Sequence, residues 1–204
     1  MKRNGLWQNK NERGKVFMSP RRGLDLLTIV EAAAAIADEL GIEEVTLATL
    51  AQKLNVRSPS LYNHVNGLNG LRIQLAIYGL KKLTESVHAA LQDKSGDEAI
   101  HAIASAYIAF ARKHPGLYDL TLRSPDADDA EYAAAGQQMV DLLVNTLSYY
   151  KLNRDQSIHI VRGFRSFLHG FASIEQKGGF GMPHAIDESL SIAIQTYLNG
   201  LRQR

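Results

Sequence analysis

Between Val56 and Val65 the chain reads VRSPSLYNHV, where hydrogen-bonding side chains crowd together without a single acid. Arg57, Ser58, Ser60, Tyr62, Asn63 and His64 bring a guanidinium, hydroxyls, an amide and an imidazole. Groups of these kinds bond phosphate oxygens and the edges of nucleic-acid bases, and a carboxylate among them would repel the phosphates. Arg57 suits a guanine edge or a phosphate, Ser60 a base edge or a phosphate, and Asn63 an adenine. Plainer alternatives stay open: a solvated Arg57, a Tyr62 that packs in the core, an Asn63 that faces water.

For that set to act, neighbouring elements must hold it outward. Thr46 stands where it can cap a helix, and Leu47, Leu50, Ala51 and Leu54 then recur at i, i+3, i+4 and i+7, one buried face. Asn55 follows at the position where a left-handed residue ends a helix, a conformation that asparagine tolerates best after glycine. Val56 fills the corner. Ser58 is then expected to cap the next helix, with Pro59 at its first position, where the missing N–H costs nothing. Leu61 and Val65 anchor that helix and leave most of its surface free. Two short helices joined by a tight turn, the second mostly polar, have the build of a helix-turn-helix. In that arrangement Thr46 and Thr49 sit where the first of the pair crosses a DNA backbone. Thr28, near the start of a preceding helix, can do likewise, and Arg21 and Arg22 can reach phosphates or the flanking minor groove.

Charge supports a polyanionic partner on one side of the molecule. The net charge of the 204 residues is only +2, yet Lys2, Arg3, Lys10, Arg13, Lys15, Arg21 and Arg22 stand against Glu12 alone at the start. A solvated tail is the bland reading of the first 17 of these residues, which also read as an upstream extension, since Met18-Ser19-Pro20 looks like a natural beginning. The absence of cysteine excludes a disulfide framework and thiol chemistry and fits a cytoplasmic protein. No apolar run is long enough to span a membrane, so no membrane partner is expected, and the basic start lacks the apolar core of a secretory signal. Catalytic patterns are thin. The seven histidines never form HExxH, and no GxSxG or phosphate-binding loop occurs. Asp155 and His159 are too few to hold a metal, and Asp126, Asp128 and Asp129 lack the glycine and glutamate of a calcium loop. No enzyme, metal or cofactor is expected.

The expected fold is all-α, about nine helices: an N-terminal three-helix helix-turn-helix domain over residues 20–67 and a C-terminal helical domain over 68–204, after an extension of residues 1–19. Asp25 caps a first helix that ends at Gly41, with Leu26, Ile29, Val30, Ala33, Ile36, Ala37 and Leu40 inward. Further helices are expected from about Leu68 to Leu91, Asp97 to Lys113, a short one opening at Gly116, Ala127 to Tyr150, Arg154 to Gln176 and Ala185 to Arg202. The eighth carries two apolar stripes, one through Ile160, Phe164, Phe167, Phe171 and Ile174, the other through Ile158, Val161, Leu168 and Ala172. A helix apolar on two faces is buried on both, so it is either central in its domain or covered by a second subunit. A twofold homodimer suits a palindromic double-stranded DNA operator.

The stretch VTLATLAQKLNVRSPSLYNHV, after a helix ending in Gly41 and before a long fourth helix, resembles the DNA-binding domain of TetR-type regulators over about Pro20 to Leu83. SLYNHVNGLNGLR (Ser60–Arg72) is similar to a subgroup whose C-terminal half is called the WHG domain, here carried by Leu168-His169-Gly170. The fourth helix opens with Gly67-Leu68-Asn69-Gly70 where the broader family has a Lys-Glu-Glu-like start.

The resemblance implies an omega-shaped, all-helical homodimer and a repressor released from its operator by a small-molecule effector. It also implies that Tyr62 and His64 touch phosphates. Candidate effector-pocket residues on helices five to eight are Tyr107, Phe110, Tyr118, Met139, Leu143, Phe164 and Phe167, with His169 as a polar member. Aromatic groups at helical spacing equally describe an ordinary core, and His169 a core hydrogen bond. Arg162 and Arg165 suit an acidic effector, ion pairs at a dimer interface or solvent. The alternative function is a DNA-binding helical dimer without small-molecule sensing, architectural or partner-controlled.

Overall fold

The computed structural model describes residues 24–122 and 129–203, and every regular element within them is helical. Helix α1 (Leu26–Leu40) starts because the Asp25 carboxylate accepts a hydrogen bond from the Thr28 amide at 2.7 Å. It stops at Gly41, whose φ of 96° few side chains could adopt. Ile29, Val30, Ala33, Ala34, Ile36 and Ala37 form its buried face. Leu26 and Leu40, expected inward, are instead 37% and 65% exposed. Each is a terminal residue of the helix, where the packed neighbours give out.

A 3-10 turn (Ile42–Glu44) leads to α2 (Leu47–Leu54) and α3 (Ser58–Leu61). Helix α4 (Gly67–Ala90) runs past them and packs on α1, so the two halves of the chain share one wall. Helices α5 (Gly96–Lys113) and α6 (Pro115–Leu120) follow, then α7 (Ala130–Leu147), α8 (Arg154–Gln176) and α9 (Ile186–Arg202). Helix α7 begins later than Ala127 because Asp129 is its cap, accepting from the Tyr132 amide. It tightens into a 3-10 turn at Ser148–Tyr150 before Lys151 takes a left-handed conformation. Helix α8 is opened by a capping box in which Asn153 and Gln156 exchange side-chain and backbone bonds at 2.9 and 3.0 Å.

One apolar cluster runs unbroken from Ile29 of α1 to Leu201 of α9. Within it α4 touches α5, α6 and α7, while α5 also meets α8 and α9. Arg112 of α5 binds Glu175 of α8 and Asp187 of α9, fixing the ends of three helices together. The two stripes of α8 do not fare alike. Val161, Phe164, Leu168, Phe171 and Ala172 are buried, but Ile174 is 47% exposed, as is more of Ile192 on α9 and of Met182 between them. Among the described residues no helix is long and apolar enough to cross a membrane.

Candidate nucleic-acid interface and the cavity behind it

Local chemistry builds the helix-turn-helix. Thr46 Oγ1 accepts from the Thr49 amide at 3.1 Å, and Thr49 Oγ1 accepts from the Thr46 amide at 3.0 Å. Thr49 Oγ1 also donates to the Glu44 carbonyl at 2.8 Å. Its one proton is therefore engaged, and a phosphate would have to break that bond; Thr46 keeps more freedom. Asn55 ends α2 in the left-handed region, with φ 52° and ψ 46°, and its N–H returns to Ala51 and Gln52. Leu50, Leu61 and Val65 are buried in the common apolar cluster, with α2 packed on α1 and α3 on α2.

Helix α3 differs from expectation in two ways. Ser58 is its first residue and not its cap; Arg57 takes the capping position with no side-chain bond. The Ser58 hydroxyl is thus left for other partners. Regular α-helix lasts only to Leu61, and Tyr62–His64 continue as a tighter turn, with the His64 amide on the Leu61 carbonyl at 2.9 Å. Pro59 supplies no N–H, and the run ends at Asn66 and Gly67, where φ turns positive. On this surface Arg57, Tyr62, Asn63 and His64 are exposed, Tyr62 to 62%, while Ser58 and Ser60 are half-buried. Tyr62 is therefore not a core residue. From Val45 to Thr84 there is no carboxylate in the chain. Thr28 is half-buried beside the Asp25 cap, and Arg21 and Arg22 lie outside the described residues.

Behind this layer α4, α5, α7, α8 and α9 enclose a cavity of about 460 Å³. Tyr107, Met139, Leu143 and Phe164 of the expected pocket residues line it, joined by Leu83, Ile103, Tyr132, Gly136, Val161 and Leu168. Phe110, Tyr118, Phe167 and His169 do not. Phe110 turns toward His114, at 5.2 Å between ring centroids, and Phe167 lies between Phe164 and Phe171, with ring centroids 6.3 Å from each. Position 136 carries a signal that sequence reasoning missed: a glycine within the alanine-rich α7. A Cβ built there meets nothing within 4 Å, so the residue leaves space rather than permitting contact.

Tyr118 and His169 stand just behind the wall as a polar chain. The Tyr107 and Tyr118 hydroxyls are 2.9 Å apart, and Tyr118 Oη lies 2.8 Å from His169 Nδ1. The chain is satisfied when Tyr107 donates to Tyr118 and Tyr118 donates to the imidazole. Burial first, and the neighbouring Tyr107 second, push the Tyr118 hydroxyl far above the ordinary phenol value, so it stays neutral. The same α6 carries the contact with α1. Asp38 of α1 accepts from the Leu117 amide at 2.9 Å and pairs with His114 Nδ1 at 2.7 Å. Gly116 lies against the backbone of Ala37, leaving no room for a Cβ. These partners are far apart in sequence, and only the KHPG helix stop marks the place.

A solvent-facing polar turn on a compact helix-turn-helix is backed by a helical body with a cavity. Residues 100–197 match the family described as Tetracyclin repressor-like, C-terminal domain, a stretch that includes Leu168-His169-Gly170. The uncharacterized HTH-type transcriptional regulator YobS of Bacillus subtilis is 42% identical over 185 residues, covering 90% of this chain and 96% of its own length. Among solved structures, a protein of unknown function from Rhodococcus sp. RHA1 superposes with a TM-score of 0.77 at 22% identity, over 90% of this chain and 98% of that one. A TetR variant from Acinetobacter baumannii AYE in complex with minocycline superposes with a TM-score of 0.68 at 16% identity, over 88% and 97%. The chain belongs to the TetR-type family of helix-turn-helix transcriptional regulators.

Proposed function

We propose that this regulator is a dimeric repressor whose Arg57, Ser58, Ser60, Tyr62, Asn63 and His64 hold a twofold-symmetric operator. A small molecule entering the cavity behind α4 releases it. The observation that carries this reading is the continuous line from cavity to DNA-binding helices. Tyr107 in the cavity wall bonds Tyr118 of α6, and α6 is fixed to α1 through Asp38 and Gly116. Anything that pushes the wall outward therefore bears on α1, against which α2 packs. The exposed Ile174, Met182 and Ile192 around α8 and α9 suit burial by a second copy, which would set two α3 segments about one duplex turn apart (~34–36 Å). The Acinetobacter protein of the same fold occurs in complex with minocycline, which supports a small-molecule role for this fold.

A ligand shifts the equilibrium only by its differential affinity for the two dimer geometries, so release must be reciprocal. The test is a library screen by thermal shift, followed by titration of each hit with and without operator DNA. A hit should weaken DNA binding by the same factor by which DNA weakens the hit, and Gly136→Leu, which fills the cavity, should abolish its effect. Hits that bind equally well with and without operator would contradict the proposal and favour a DNA-binding dimer that senses no small molecule.

A further inference from the structure

We propose that the cavity takes an amphipathic organic anion: an apolar body carrying one carboxylate, held by the guanidinium groups of Arg162 and Arg165. This rests on the effector reading above and names the chemistry of that site.

The wall explains why. Its deep part is aliphatic and aromatic, from α4, α5, α7 and α8, and its volume lies within the ~300–1,000 Å³ of small-molecule sites. Its charged members are Arg154, Arg162 and Arg165, with no Asp or Glu among the lining residues. Most other polar groups of the wall are already committed. Tyr132 and Tyr197 donate to the Leu120 and Ile160 carbonyls, at 3.3 and 2.8 Å. Thr121 Oγ1 donates to the Tyr118 carbonyl at 2.7 Å, and Gln137 donates its amide to Asp141 at 2.9 Å. Arg154 is paired with that same Asp141 at 3.1 Å.

Two guanidinium groups remain. Arg165 gives one N–H to the Thr121 carbonyl at 3.0 Å, which fixes its direction and leaves its other donors over. Arg162 makes no side-chain hydrogen bond or ion pair among the described residues. Both are exposed, as groups at a mouth are, so a ligand can place its charge there and its apolar body inward. Guanidinium has donors only, in a fork that matches a carboxylate. A neutral ligand would gain nothing from this charge, which water continues to solvate, and a cation would be repelled.

The experiment compares three probes of one length on the purified full chain: decanoate, 1-decanol and decylamine, by calorimetry and thermal shift. Decanoate should bind at least about tenfold more tightly than decanol, and decylamine should not bind, because a charge-assisted hydrogen bond is worth that much. Arg162→Gln, with an unchanged melting temperature in the absence of ligand, should lower decanoate affinity about tenfold and leave decanol unchanged. Arg165→Lys keeps the charge and should retain most of the preference. Decanol binding as well as decanoate would overturn the inference while the cavity reading stands, as would a neutral library hit blocked by Gly136→Leu. Decanoate binding that survives Gly136→Leu unchanged would also overturn it, since the anion would then lie elsewhere. No binding by decanoate overturns it too, and only the library screen above would then speak for the cavity.

Discussion

Gly116→Ala is the smallest perturbation that separates the two halves of the protein. The new methyl group would lie inside van der Waals contact of the Ala37 carbonyl and its carbon, which are α1 backbone and cannot rotate aside. Either α6 lifts or α1 moves, and either motion stretches the bonds from Asp38 to Leu117 and His114. Overpacking of this kind costs about 1–3 kcal/mol. For a chain of this length each kcal/mol lowers the melting temperature by roughly 2–4 °C, so a fall of about 2–12 °C is expected. Gly136→Ala is the control. It relieves a mid-helix glycine by about 0.5–1 kcal/mol and meets no neighbour, so it should melt at the same temperature or higher. Thermal unfolding followed by circular dichroism reads both variants, and fluorescence anisotropy on operator DNA reads the consequence for binding. A Gly116→Ala protein with wild-type melting and wild-type affinity would show that α6 does not bear on α1, and the coupling argument would fail.

Asp38→Asn should cost about 1–3 kcal/mol in chemical denaturation, because a half-buried carboxylate that serves an amide and an imidazole loses its charge. Unchanged stability would mean that the pair is replaced by water without loss. Tyr118 makes stability depend on alkaline pH. Its hydroxyl is raised in the folded state, so the folded chain holds a proton that the unfolded chain releases above about pH 10, the ordinary phenol value. Stability is therefore full below that pH and falls as pH rises through it. Tyr118→Phe should flatten the alkaline limb in urea titrations, and an identical slope in both proteins would remove Tyr118 as the cause.

How much of this was legible in the sequence follows from the range of the interactions. The caps at Asp25 and Thr46 and the left-handed Asn55 are set within three residues of the backbone groups they satisfy, and the first helix and the helix-turn-helix could be read from them. The reach of α3 was overestimated, because Leu61 and Val65 are compatible both with a full helix and with one turn of helix followed by a tight turn. On α8 the spacing revealed two apolar stripes but not that Ile160 and Phe164 of one and Ile158, Val161 and Leu168 of the other share the cavity wall; that depends on α4, α5 and α7, and it placed Phe167 and His169 outside the wall. The junction of Asp38, His114 and Gly116 joins elements that no local pattern relates. The α7 glycine was visible, but its meaning required knowing that the space beside it is empty.

Selection of random double-stranded DNA on the purified protein, repeated with Arg57→Ala, tests the central claim most directly. The wild type should enrich an inverted repeat whose half-sites are centred about 10 base pairs, or a multiple, apart. Arg57→Ala should bind that repeat more weakly by ~1–3 kcal/mol and relax one position in each half-site. Enrichment of no motif by the wild type, or of the same motif with equal affinity by the variant, would show that the turn opening at Arg57 is not what reads the duplex.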